Sequence, residues 1–168
     1  MFQTVIDEPY LKNKELYQFL TNVKFDNPMS VTLTEKQFIY GYNGYKFHID
    51  NIRSVRNTKH FLNRLNQQIF KNSYRRFGQQ LKSIVVMEGT KDIRHHLHMI
   101  LDKPNRVTYE EFVSLIHLCW GQTKFGYHHI QIDPMTSDGW LKYILKCRTK
   151  INLLSDIDWE NTNVGVSK

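Results

Sequence analysis

The sequence predicts an α+β domain, an antiparallel sheet with helices packed against it. Three observations predict it. Ser30–Thr34, Leu81–Glu88, His95–Leu101 and Tyr127–Ile132 alternate in polarity or run β-branched, as strands do. Lys12–Val23 and Thr58–Phe70 carry apolar residues at helical spacing. The order, roughly α-β-β-α-β-β-α-β-α, pairs strands as hairpins and segregates helices against one sheet.

The elements follow in order. Leu16, Phe19, Leu20 and Val23 mark a short N-terminal helix. Ser30-Val31-Thr32-Leu33-Thr34 is a strand. Asn43-Gly44 signals a hairpin between Phe38-Ile39-Tyr40 and Tyr45-Lys46-Phe47. Phe61, Leu62, Leu65 and Ile69 form the buried stripe of the Thr58–Phe70 helix, and Lys71–Arg76 is its basic exit. Leu81–Glu88 and His95–Leu101 form an antiparallel hairpin across the polar Gly89–Arg94 connection. Thr108 and Glu111 have the spacing of a capping box, opening a helix to about Cys119. Pro134–Gly139 is a loop with Ser137 or Asp138 as N-cap, and Trp140–Lys150 is the last helix. The polar tail after Trp159, about residues 160–168, is expected to fray.

A chain of 168 residues fits a single domain, 1–168, and 40% hydrophobic content is that of a folded protein. Lys and Arg number 23 against 16 Asp and Glu, a formal charge of +7 that points to a polyanionic partner. Cys119 and Cys147 make no disulfide framework, so the chain reads as cytoplasmic. Met1–Tyr10 lacks the apolar core of a signal peptide. No run approaches the roughly 18 apolar residues of a membrane span, so no membrane partner is expected.

The informative segment is Arg94-His95-His96-Leu97-His98-Met99. On a strand His96 and His98 share one face while Leu97 and Met99 point into a core. Two imidazoles one strand pitch apart can chelate one divalent ion; the adjacent pair His95 and His96 cannot from a regular strand. Glu88 ends the preceding strand, where the hairpin brings it beside them as a third ligand. Such a set suits Mn²⁺, Fe²⁺ or Zn²⁺, and Mg²⁺ when water and phosphate complete an octahedron. The competing reading is a histidine pair with no metal. His48, His60 and His117 are ordinary histidines, while His128 and His129 stay open as further ligands.

Tyr143 and Lys146 fall at i and i+3 of the last helix. A phenol ordinarily titrates near 10, so as a nucleophile it needs a nearby cation and an activated electrophile. Lys146 is the candidate cation and the histidine-bound metal the activator. The competing reading of Tyr143 is an amphipathic anchor at the core edge. Basic residues interleave with rings at Lys71, Tyr74, Arg75 and Arg76 and recur at Lys142, Arg148 and Lys150; cations bind phosphates and rings stack on unpaired bases. Most of the tryptophans and tyrosines are expected to be core.

Three motifs stand in an order that resembles the rolling-circle replication initiators of the HUH endonuclease superfamily. Ser30-Val31-Thr32-Leu33-Thr34 resembles their first strand motif, His96-Leu97-His98 their metal motif, and Tyr143-Ile144-Leu145-Lys146 their Tyr-x-x-Lys catalytic motif. Glu88 stands where the family's acidic ligand precedes the histidines. The likeness covers about residues 30–150. It implies a ferredoxin-like or RRM-like sheet with the metal, Mn²⁺ or Mg²⁺, on its central strands. It also implies that Tyr143, assisted by Lys146, attacks single-stranded DNA or a hairpin at a replication origin. The products would be a 5′-phosphotyrosine link and a free 3′-hydroxyl, with host helicase and polymerase acting in trans.

The sequence departs from viral initiators at Asp102, where Gln is common, and has neither the length nor the phosphate loop of a helicase domain. It therefore resembles a compact single-tyrosine phage or plasmid initiator. Single-tyrosine HUH transposases are the nearest alternative, although their tyrosine is more often followed by Gln than by Lys. Two other classes compete: a non-catalytic RRM-like nucleic-acid-binding module, and a zinc-dependent hydrolase using Glu88, His96 and His98 with water as nucleophile.

Overall fold

The computed structural model describes residues 8–89, 94–137, 139–145 and 153–165. Its elements run α1 (Glu8–Thr21), β1 (Pro28–Glu35), β2 (Phe38–Tyr40), β3 (Lys46–His48), α2 (Asn51–Phe70), α3 (Asn72–Phe77), β4 (Ser83–Glu88), β5 (His96–Asp102), α4 (Tyr109–Gly121), β6 (Gly126–Pro134), α5 (Gly139–Leu145) and α6 (Leu153–Asp156). The main sheet has the order β4-β5-β1-β6, every neighbouring pair antiparallel. Since β1 and β4 both run against β5, they are parallel to one another, and α2 connects them. By the same reasoning α4 connects the parallel strands β5 and β6. Two split βαβ units interlock, so the expected α+β fold is present with ferredoxin-like topology. The strands β2 and β3 form a separate hairpin inserted between β1 and α2.

Strand alternation divides the sheet into two faces. Val31, Leu33, Val85, Leu97, Met99 and Leu101 pack on one face against Phe61 and Leu65 of α2 and Phe112, Ile116 and Trp120 of α4. Ile84, Val86 and Ile100 face the other way, against Leu20 of α1, Leu141, Ile144 and Leu145 of α5, and Leu153. Both faces are covered near β4 and β5, which explains the near-continuous burial of those strands. Among the described residues no helix is long and apolar enough to cross a membrane.

The helix ends follow the chemistry of capping. Thr108 Oγ1 accepts from the Glu111 amide at 3.2 Å, and the Glu111 carboxylate accepts from the Thr108 amide at 2.9 Å, completing the expected box. The helix α2 begins well before Thr58, because Asp50 accepts from the Arg53 amide at 2.7 Å and starts it at Asn51. Its first two turns bury Ser54 and Asn57, polar residues that leave no apolar period to read.

Two expectations are overturned. The tail is not frayed up to residue 165: Ser83 and Asn163 exchange amide-to-carbonyl bonds of 2.8 Å, and the buried Asn161 donates to Val55 O at 2.9 Å. The Ser83–Asn163 pair, with the Asp158 amide donating to Val85 O at 2.9 Å, occupies backbone groups along the outer edge of β4, an edge otherwise open to pairing. Nor are the tyrosines core, for none among the described side chains is buried, and Tyr40, Tyr42 and Tyr45 are largely exposed. Among the tryptophans Trp120 alone is fully buried.

The end of β1 buries a carboxylate. Glu35 accepts from Ser54 Oγ at 2.7 Å and from Asn57 Nδ2 at 3.3 Å. Burial, aided by the charge of Asp158 and opposed by these two bonds, raises its pKa from 4.5 to about 7. Between those values the folded chain holds a proton that the unfolded chain has released, so stability should fall as pH climbs through that window and level off above it. The component is on the order of 3 kcal/mol, from the size of the shift. Urea unfolding across this pH range should show the decline in the wild type and a smaller one in Glu35→Gln, whose amide retains the Ser54 contact. An unchanged slope in the variant would assign the pH dependence elsewhere.

Candidate metal centre

The residues Glu88, His96 and His98 converge on the sheet face that α2 and α4 leave uncovered. In the β4–β5 register Glu88 lies opposite His96, and Val86 opposite His98. One carboxylate oxygen, Glu88 Oε2, stands 3.4 Å from Nε2 of both histidines. The three ligand atoms lie within 4.8 Å of one another, so the group can hold a metal ion. Two bonds of about 2.1 Å meeting near 109° put their ligand atoms roughly 3.4 Å apart, as found for both carboxylate–imidazole pairs. The histidines stand on the central strand β5 and Glu88 on the edge strand β4.

Hydrogen bonds orient both rings. His96 Nδ1 lies 2.8 Å from Arg94 O, and a carbonyl can only accept, so Nδ1 carries the proton and Nε2 presents its lone pair. His98 Nδ1 lies 3.2 Å from Thr32 Oγ1, which β1 places directly across from it. This contact leaves His98 Nε2 facing Glu88. That nitrogen is buried and has no hydrogen-bond partner among the described residues, the condition in which a metal bond restores what burial costs.

The helix α5 lies over this group. Leu141, Ile144 and Leu145 bury against the sheet, which leaves Trp140 and Tyr143, one turn apart, directed along it. Tyr143 stacks on Trp140 with ring centroids 5.3 Å apart and meets His98 edge-on at 5.9 Å. Trp140 also meets His98 edge-on, at 5.4 Å, and its indole donates to Met99 O at 3.4 Å. The Tyr143 side chain is about half exposed, open to a cavity of about 440 Å³ that Arg94, His129 and Gln131 also line.

The structure thus brings together Glu88, His96, His98 and Tyr143, and places Lys142 exposed beside Tyr143. Lys146, Arg148 and Lys150 lie outside the described residues. The cluster at Lys71, Tyr74, Arg75 and Arg76 is not brought to this site. It belongs to α3 and its N-cap, next to α2 on the opposite side of the sheet, where Tyr74 packs against the core and donates to Asn63 at 2.9 Å. His129 reaches the cavity but pairs with Thr34 at 3.3 Å and is not among the three grouped ligands. Sequence reasoning missed Thr32, which only the β1–β5 register reveals, and Trp140, whose i, i+3 spacing to Tyr143 was the available signal.

Neither a family model, a curated protein nor a solved structure matches the chain.

Calorimetric titration of Mn²⁺ should show one site in the wild type and none measurable in His98→Ala. Thr32→Val keeps the side-chain volume but removes the bond that orients His98, and should weaken binding roughly 10- to 100-fold. Equal affinity in all three proteins would refute the ligand set.

Proposed function

We propose that this domain is a metal-dependent nuclease and strand transferase for single-stranded DNA, a single-tyrosine initiator of rolling-circle replication in the HUH endonuclease superfamily. The observation that carries this reading is the position of Tyr143, its ring 5.9 Å from His98 and open to the cavity that His96 and His98 line. A nucleophile must stand beside the metal ligands with its side chain open to solvent, and Tyr143 does.

In this reading Glu88, His96 and His98 hold one divalent ion, Mn²⁺ or Mg²⁺, which makes the scissile phosphate more electrophilic. Arg94, exposed at the rim of the cavity, meets the phosphate backbone. Trp140 fixes the plane of the Tyr143 ring, so the nucleophile approaches in one orientation. The Tyr143 oxygen bonds to phosphorus as the bond to the 3′ oxygen breaks; the phenol loses its proton and the leaving oxygen gains one. The 5′-phosphotyrosine link conserves the energy of the phosphodiester, and the released 3′-hydroxyl can reverse the step and rejoin strands. Lys146, by its likeness to the Tyr-x-x-Lys motif, stabilises the phenolate.

Incubating the protein with labelled single-stranded DNA and Mn²⁺ should yield a covalent adduct, and mass spectrometry should place the DNA on Tyr143. Tyr143→Phe should abolish the adduct and retain metal binding. Lys146→Ala should slow its formation about 10²- to 10³-fold, the usual cost of one positioned electrostatic group. Cleavage without an adduct would indicate a hydrolase, and an adduct on another tyrosine would displace Tyr143 from its role.

A further inference from the structure

A second and larger cavity, of about 990 Å³, opens between the β2–β3 hairpin and the first turns of α2. Ile39, Tyr40 and Phe47 line it from the hairpin, and Arg53, Arg56 and Lys124 from α2 and the segment before β6. None of its lining residues is a carboxylate. Arg53 pairs with Asp50, whereas Arg56 and Lys124 are exposed and form no ion pair among the described residues. Tyr40 is 68% exposed and Tyr42, at the hairpin tip, entirely so. Large rings left in water beside unopposed cations are the chemistry of unpaired bases stacking and phosphates being neutralised.

The hairpin is built to hold these rings outward. Gly44, at φ +76°, closes the turn. Gly41 lets the Phe47 ring approach to where a Cβ would stand 2.6 Å from it. Ile39 and Phe47, paired across the two strands, turn toward α2, while on the other side Tyr40 meets the Phe38 ring edge-on at 5.6 Å and Lys46 lies 3.7 Å above that ring.

This cavity reaches the metal end of the sheet. Lys36, just beyond β1, donates to Phe125 O at 2.7 Å, and Phe125 lines the cavity. Two residues on, Tyr127 lies beneath the Arg94 guanidinium at 4.4 Å, and Arg94 lines the cavity at the metal group. The two cavities therefore open at the same end of the sheet, on either side of the end of β1.

We propose that the hairpin cleft is a second binding site for single-stranded DNA, holding unpaired nucleotides that flank the stretch presented to Tyr143. This deepens and rests on the nuclease reading above. Bases stack on Tyr42 at the mouth of the cleft, and Arg56 and Lys124 meet phosphates.

Fluorescence anisotropy with labelled oligothymidylate tests it, using Tyr42→Ala and the double variant Arg56→Gln/Lys124→Gln, whose altered side chains are exposed, with circular dichroism melting to confirm folding. Each should bind roughly 10-fold more weakly than the wild type. In the double variant log K should fall less steeply with log salt, by about 0.7 for each phosphate no longer neutralised. Wild-type affinity and salt slope in both variants would overturn the cleft, even with the covalent adduct still forming on Tyr143. Weakened binding in the variants, with no adduct formed by the wild type, would uphold the cleft as a nucleic-acid site and overturn the nuclease reading. Tighter binding of oligouridylate than of oligothymidylate would overturn the assignment to DNA.

Discussion

The alternation of β5 is the constraint on which the rest of the structure depends. The strand lies between β4 and β1, so its backbone groups are paired on both sides. Leu97, Met99 and Leu101 enter the core beneath α2 and α4 with no exposed surface, while His96 and His98 face the opposite way. A slip of one residue would drive two imidazoles into the apolar core and turn Leu97, Met99 and Leu101 away from it. Burial of each of those side chains is worth roughly 1.5–3 kcal/mol, so the hydrophobic face fixes the register and the register fixes the ligands. No residue of the metal group has to contribute stability for the group to form.

The same register recruits residues far away in sequence. Thr32 meets His98 because β1 pairs with β5 at that position, and Glu88 meets His96 because β4 does. The helix α5 is held by Leu141, Ile144 and Leu145 on the face that carries the ligands, and the helical period then leaves Trp140 and Tyr143 pointing along the sheet toward His98. Each part of the site is a by-product of apolar packing one residue or one turn away. A preorganised arrangement of this kind requires no rearrangement of its ligands before an ion is held.

What was legible in the sequence follows from this. Strands with alternating or β-branched runs, the capping box at Thr108 and the apolar stripe of α2 carry their own periods, and the histidine pair with Glu88 could be read from strand parity and a short connection. The first turns of α2 could not, since Ser54 and Asn57 are buried by bonding to Glu35 rather than by apolarity. Asn161 and Asn163 looked like a loose tail because polar residues hold β4 only through partners that no local pattern names. The aromatic count suggests core, but a tyrosine's burial is decided by tertiary context: the hairpin at Phe38–His48 leaves Tyr40, Tyr42 and Tyr45 exposed. Basic clusters were visible by composition, yet composition does not say which face of the sheet carries them.

The two cavities are separated by the polar knot at the end of β1. Asn57 binds Glu35 through its amide nitrogen and the Phe125 amide through its oxygen, at 3.2 Å, while Asn57 and Phe125 both line the hairpin cleft. Here the β1–β6 register shifts between Leu33 and Glu35, as β6 uses four residues where β1 uses two. Such an irregularity bends the strand and ends regular pairing at the ligand end of the sheet. Directional bonds to a buried carboxylate specify this corner more tightly than apolar contacts would, since each leaves an unsatisfied group when displaced. The domain thus joins a rigid apolar half, which sets the register, to a polar end where hydrogen bonds position the cleft, the strand ends and the metal ligands.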